Sequence, residues 1–301
     1  MGCRYAHLTQ LRRRSVDHAT ASVEGVELQP TCKLIGLPFD GASSFLRGPA
    51  KAPAEVRRVL HAGSANWFTE RGVEVRPATD GKTDGWVDVG DLRLVDDPAS
   101  ARHQIIASVT EATHDGSRIV SIGGDHFVTW PIVEALSSQH QNLTIVHIDA
   151  HPDIYDELDG DPLSHACPFA RIMEAGLATR LIQYGIRTAT THQREQVERF
   201  GVEMFEVSTW DGSFAELECP VYLSIDVDGL DPAFAPGVSH HEPGGLTMRQ
   251  VLDIIHNIAE QGVEVVGADI VEINPDRDIH DMTAMVGAKL VRECFGLFVK
   301  Q

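Results

Sequence analysis

Short apolar runs alternate with longer amphipathic stretches from residue 32 to the end of the chain. The short runs, Lys33–Pro38, Trp86–Val89, Arg118–Ile122, Leu143–Ile148, Leu181–Ile186, Val202–Phe205, Val221–Ile225 and Val263–Ile270, read as strands; several are β-branched and apolar on both faces, as central strands covered from both sides must be. Helical spacing falls between them, at Pro53–His61, Ala99–Ala112, Val128–Ser137, Arg194–Phe200, Thr247–Gln261 and Met282–Phe298. In the stretch 248–261, Val251, Ile254, Ile255 and Ile258 share one face. Such alternation predicts an α/β fold, a parallel sheet with helices on both sides and right-handed crossovers. In that architecture ligands bind at the carboxyl ends of the strands. No linker or internal repeat interrupts the pattern, so the expectation is one catalytic domain over 32–301 behind an extension of residues 1–31.

Composition narrows the function. With 25 Lys and Arg against 44 Asp and Glu, the formal charge of −19 excludes a nucleic-acid binder driven by bulk charge. No uncharged apolar run approaches the roughly 18 residues of a membrane span. Five scattered cysteines, Cys3, Cys32, Cys167, Cys219 and Cys294, form neither a disulfide framework nor a zinc knuckle, which points to free thiols in a reducing, cytoplasmic setting. Arg4, Arg12, Arg13 and Arg14, with no acid before Asp17 and no apolar signal core, leave a short organelle-targeting segment as the alternative.

Polar residues that look out of place in apolar surroundings cluster where strands end. Arg118–Ile122 runs into Gly123-Gly124-Asp125-His126, Leu143–Ile148 into Asp149-Ala150-His151-Pro152-Asp153, and Val221–Ile225 into Asp226-Val227-Asp228. Asp149 and His151 are spaced by two, as are Asp226 and Asp228, so each pair projects to one side of an extended chain. Singly, each motif could be a turn or a helix cap. Together His126, Asp149, His151, Asp153, Asp226 and Asp228 would leave mutually repelling carboxylates, and a cation is the simplest compensation. The donor set is rich in oxygen and suits hard or borderline divalent ions. Two ions sharing carboxylates would lower the pKa of a water between them and direct it at an electrophile, which predicts metal-assisted hydrolysis.

These three motifs, the last continuing as Gly229-Leu230-Asp231-Pro232-Ala233-Phe234-Ala235-Pro236-Gly237, resemble the signatures of the ureohydrolases, the arginase and agmatinase family. The likeness runs from about Leu34 to the C-terminus. It implies a three-layer α/β/α sandwich with about eight parallel strands, two Mn2+ per subunit (Co2+ or another divalent ion being the alternative), a homotrimer or hexamer, and hydrolysis of a small cationic guanidino substrate to urea and an amine. The six residues above would be the metal ligands, with the bridging carboxylates left open. By the same resemblance Glu272, in Asp269-Ile270-Val271-Glu272-Ile273-Asn274-Pro275, would bind the guanidinium, a task that suits a carboxylate accepting two N–H bonds. The competing reading of Glu272 is a surface ion pair with Arg277. His165 would shuttle protons and Asp228 would stabilise charge in the reaction. Asp125 and Asp231 would orient ligands.

The substrate's tail is read less directly. Tyr155 stands where animal arginases carry an Asn that holds the α-carboxylate, and Gly185-Ile186-Arg187-Thr188 is not followed by their acidic residues. The segments Ser164-His165-Ala166, Phe169-Ala170-Arg171-Ile172-Met173-Glu174 and Val238-Ser239-His240-His241-Glu242-Pro243 are most similar to plant-type arginases. L-arginine is therefore the leading substrate, with agmatine or a guanidino acid as the alternative and Tyr155, Asp156, His240 and His241 as candidates for tail recognition. A reading of another class, a non-catalytic metal-binding scaffold, has no use for His165 and Glu272.

Overall fold

The structure is a computed structural model that describes residues 32–78, 85–218 and 220–299. The expected extension over 1–31 lies outside the described residues, as do Cys3 and Cys219; Cys32, Cys167 and Cys294 are free.

In chain order the elements are β1 (Cys32–Gly36), α1 (Ala52–Leu60), β2 (Trp86–Asp91), α2 (Pro98–Thr113), β3 (Arg118–Ile122), α3 (Thr129–Ser137), β4 (Thr144–Ile148), α4 (Pro168–Glu174), β5 (Arg180–Ile186), α5 (Thr191–Phe200), β6 (Glu203–Glu206), β7 (Val221–Asp226), α6 (Met248–Gln261), β8 (Val265–Val271) and α7 (Met282–Phe298). The strands form one eight-stranded sheet in the order β2-β1-β3-β8-β7-β4-β5-β6, and every pairing is parallel. All eight expected strands are present, shifted at their ends by a few residues at most. Helix α4 carries no period in the sequence because it is only seven residues long.

Side chains alternate across the sheet, and the two faces receive different covers. On one face Val120, Ile148, Leu223, Ile225 and Ile270 pack against Val56 of α1, Val251 and Ile255 of α6, and Leu290 and Phe295 of α7. On the other, Ile119, Ile145, Tyr222 and Val266 meet Ile105 of α2, Ile132 and Val133 of α3 and Phe169 of α4. Helices α5 and α6 begin with capping boxes, Thr190 with Gln193 and Thr247 with Gln250, which satisfy amide donors that a helix start leaves unpaired. Edge strand β2 is mostly exposed beyond Trp86, whereas β4, β7 and β8 are buried throughout, as their continuous apolar runs require. Among the described residues no helix is long and apolar enough to cross a membrane.

The topology matters for the site. The chain builds β1, β2 and β3, leaves a gap of two strands, continues outward through β4, β5 and β6, and then returns to fill the gap with β7 and β8. Strands β3, β7 and β4, which end in the candidate ligands, thereby become a contiguous central block with β8, which leads to Glu272.

Candidate metal centre

Parallel register brings the strand ends level. Ile122, Ile270, Ile225 and Ile148 are cross-strand partners in one row, so the residues that follow them leave the sheet side by side. Asp149 and Asp226 occupy that next position on β4 and β7. From β3 the chain passes through Gly124, where a Cβ would lie 1.6 Å from the Phe39 carbonyl oxygen, so only glycine allows this approach. The Asp125 amide then bonds Phe39 O at 2.8 Å, and His126 opens a short 3-10 turn leading into α3.

Two clusters share one carboxylate. His126 Nδ1 lies 3.2 Å from Asp149 Oδ2, 3.0 Å from Asp153 Oδ2 and 3.2 Å from Asp226 Oδ2. His151 Nδ1 lies 3.3 Å from Asp149 Oδ1 and 3.3 Å from Asp228 Oδ2. The two oxygens of Asp149 thus face different histidines. Each group offers its ligand atoms within 4.8 Å of one another.

Electrostatics ask for positive charge here. Burial, with Asp228 and Asp149 adding to it, holds the Asp226 carboxyl well above its usual range, and burial likewise lifts Asp228 to about 6. His126 Nδ1 is buried with no hydrogen-bond partner among the described residues. Burial alone would lower its pKa, but the surrounding Asp149, Asp153 and Asp226 outweigh that and raise it well above the ordinary value. An imidazole nitrogen aimed at three buried carboxylates, with no thiol in either group, fits divalent ions that prefer oxygen and imidazole. Asp153, at φ 45°, is held in a left-handed conformation that non-glycine residues rarely adopt.

Beside the clusters opens a cavity of about 180 Å³, lined by His151, Asp153, Asp226, Asp228, Glu272, His165, His240, Tyr155 and Ser44. It is small against the roughly 300–1,000 Å³ of pockets for drug-sized ligands. Glu272 is 3% exposed and, like Asp153, has a positive φ, here 63°. Its Oε1 accepts from the His126 amide at 3.0 Å and pairs with His165 Nδ1 at 2.7 Å, while Oε2 accepts nothing among the described residues. Arg277 is not its partner, which removes the surface ion-pair reading. Burial would lower the pKa of His165, but the Glu272 charge and hydrogen bond overcome it and bring the imidazole to about 9. Its Nε2 meets the hydroxyl of exposed Ser44 at 2.9 Å.

The remaining sequence candidates divide. Tyr155 and His240 line the cavity, the Tyr155 ring stacking on His192 at 5.7 Å and the His240 ring lying 5.4 Å from His165. Asp156 and His241 are not among the residues that line it: Asp156 bonds Gln196 and pairs with Arg199, and His241 meets Pro236 O. Asp125 accepts from the Ala42 amide at 2.9 Å, with burial and then the Glu272 charge pushing its carboxyl up to about 8. Asp231 accepts the amides of Ala233, Gly244 and Gly245 and so braces the loop after β7.

Sequence reasoning missed several contributors. His147 Nε2 meets Asp149 Oδ2 at 2.8 Å; an isolated histidine two residues before Asp149 in an apolar run was its signal. Thr188, Thr190 and Gln193 also line the cavity. Arg187 donates to the backbone oxygens of Asp228, Gly229 and Leu230 at 2.7, 3.0 and 3.3 Å, fixing the turn that carries Asp228.

Comparison with known proteins agrees with this geometry. A model of the arginase family matches residues 30–296. Arginase 1, mitochondrial, of Oryza sativa subsp. indica is 45% identical, the match covering 96% of this chain and 87% of the relative. An agmatinase of Bacillus anthracis is 32% identical, covering 89% of this chain and 91% of its own. Among solved structures, an arginase from Medicago truncatula superposes with a TM-score of 0.81 at 40% identity, covering 91% of this chain and 89% of that one. The parallel sheet and these matches over most of its length together establish that the chain belongs to the arginase family.

Proposed function

We propose that the protein hydrolyses the guanidino group of L-arginine, giving L-ornithine and urea, with two Mn2+ held by His126, Asp149, Asp153, Asp226, His151 and Asp228. The observation that carries this reading is the meeting of two histidine-carboxylate clusters on opposite oxygens of Asp149, with Glu272 facing the same cavity. Bound there, such ions supply a water acidic enough to act as a nucleophile near neutral pH.

The chain's own residues do the rest. Glu272 has one oxygen tied to the His126 amide and His165, which leaves Oε2 to accept guanidinium N–H bonds and hold the central carbon against the ligand cluster. A guanidinium carbon is a poor electrophile, so this positioning supplies much of the rate. Asp228, at the cavity wall, accepts hydrogen bonds from the reacting group as charge develops. His165 gives its proton to the departing amine and recovers one through exposed Ser44.

Arginine is favoured over agmatine by the higher identity to plant enzymes named arginase, 45% against 32% to an agmatinase. The outer wall offers neutral hydroxyl and amide groups, those of Tyr155, Thr188, Thr190 and Gln193, which can hydrogen-bond an amino acid's polar end. A homotrimer or hexamer remains part of the proposal, as does the compartment: relatives named mitochondrial or chloroplastic stand beside the cytoplasmic setting read from the cysteines.

The test is urea release by the manganese-loaded protein from L-arginine, agmatine and 4-guanidinobutyrate. A highest kcat/KM for arginine is expected. A preference for agmatine would overturn the tail assignment alone, and no urea from any of the three would favour the scaffold reading.

A further inference from the structure

Beneath the ligands lies a second row of side chains that is polar although it is wholly buried. Ser121, Asp269, Ser224, His147 and Gln183 are cross-strand partners one step before the row Ile122 to Ile148, and each is 0% exposed. Burying polar groups within an apolar layer is costly unless their hydrogen bonds are made. Asp269 makes the most of them: Oδ1 accepts the Ser224 hydroxyl at 2.7 Å, and Oδ2 accepts those of Tyr222 at 2.6 Å and Thr129 at 2.9 Å. Ser224 Oγ in turn lies 3.0 Å from His126 Nε2.

Proton accounting fixes the direction. A serine hydroxyl has one hydrogen, and the Asp269 carboxylate takes it. Ser224 can then only accept from His126, so Nε2 must carry a proton and, in the neutral ring, Nδ1 must present its lone pair to Asp149, Asp153 and Asp226. We propose that Asp269, acting through Ser224, is a positioning residue that sets the tautomer and ring orientation of His126 and thereby the affinity of one of the two metal sites. Tyr222 and Thr129 hold Oδ2, which keeps Oδ1 turned toward Ser224. His151 has no counterpart among the described residues: its ring faces His240 at the cavity. The proposal rests on the metal reading above and adds to it an asymmetry between the two ions.

The experiment is titration of the metal-stripped protein with Mn2+, following free ion by its paramagnetic resonance signal, together with thermal unfolding. The variants are Asp269→Asn, Ser224→Ala and, as control, Ser121→Ala, whose hydroxyl lies in the same row but makes no hydrogen bond. Groups that orient a metal-ligating histidine typically carry about 10–100-fold in affinity. Asp269→Asn and Ser224→Ala should each weaken one of the two binding steps by at least about tenfold, with the other step less affected and Ser121→Ala unchanged. If Asp269→Asn does not fold, Ser224→Ala alone decides. Unaltered affinity in Ser224→Ala, or equal losses in both steps that merely follow a lowered Tm in all three variants, would overturn the relay. Failure of the unmodified protein to take up two Mn2+ would instead sink the metal reading, and the relay with it.

Discussion

His126 and His151 face different oxygens of the same carboxylate, yet their surroundings differ. The His126 ring is entirely buried, edge-on to Phe169 at 5.3 Å, with one nitrogen toward Ser224 and the other toward three carboxylates. The side chain of His151 is 24% exposed and faces the cavity. One histidine is therefore part of the sheet's interior and the other faces the cavity, which Asp153 and Asp226 of the His126 cluster also line. The difference teaches that a paired histidine-carboxylate cluster can be anchored in the core through one histidine and open to a cavity through the other.

Replacing each histidine separately tests that contrast most severely. Both His126→Asn and His151→Asn should lose urea release by more than the roughly 10–100-fold that outer partners of a ligand cost. Calorimetry of the chelated proteins should then separate them: His126→Asn leaves buried carboxylates without a partner and should cost about 3–5 kcal/mol, whereas His151→Asn should cost clearly less. Equal destabilisation would erase the distinction between the two halves.

Glu272→Gln probes the open side. The proposed contact of this buried carboxylate with the guanidinium is charge-assisted, and losing one partner of such a pair costs about 2–5 kcal/mol, so kcat/KM should fall by about 30- to 5,000-fold while Mn2+ uptake persists. Loss of Mn2+ uptake in this variant would mean that Glu272 belongs to the ligand set.

His165 gives a pH signature. Its pKa rises from 6.5 to about 9 on folding, so below pH 6.5 it is protonated in both states and its pairing with Glu272 contributes fully to stability. As pH climbs through about 9 the folded protein also releases the proton, and that contribution, about 3 kcal/mol, is gone. Chelated wild-type protein should lose stability over this window relative to His165→Asn, in which the window should be absent. Parallel curves for the two proteins would show that the Glu272 pairing does not exist in solution.

The smallest effect is expected at the outer wall. Tyr155→Phe removes one hydroxyl, and a single neutral hydrogen bond contributes about 0.5–1.5 kcal/mol, so KM for arginine should rise by about two- to tenfold with kcat nearly constant. An unchanged KM would place tail recognition on Thr188, Thr190 or Gln193.

Legibility in the sequence followed the range of the interactions. The candidate ligand motifs were readable because each places its residues within five positions at a strand end, where alternation alone sets their direction. Continuous apolar runs marked β4, β7 and β8 as central because no half-exposed strand tolerates them. Asp269 lies in the motif around Glu272 and Ser224 in the strand before Asp226, but 45 residues separate them, and their hydrogen bond exists only because β8 returns beside β7. Asp156 and His241 looked as eligible as Tyr155 and His240; neighbouring residues in a loop can point to different surroundings, and no short pattern says which faces a cavity.

The sequence by itself determined the parallel α/β architecture, the types of the candidate ligands and their spacing within each motif, since these depend on periodicity and chemistry over a few residues. Only the tertiary structure decided which oxygen of Asp149 faces which histidine, that Glu272 turns one oxygen to His165 and keeps the other free, and that a buried carboxylate stands behind His126. The physical reason is the strand order: register between strands distant in the chain sets those distances, and that register is settled by packing both faces of the whole sheet at once.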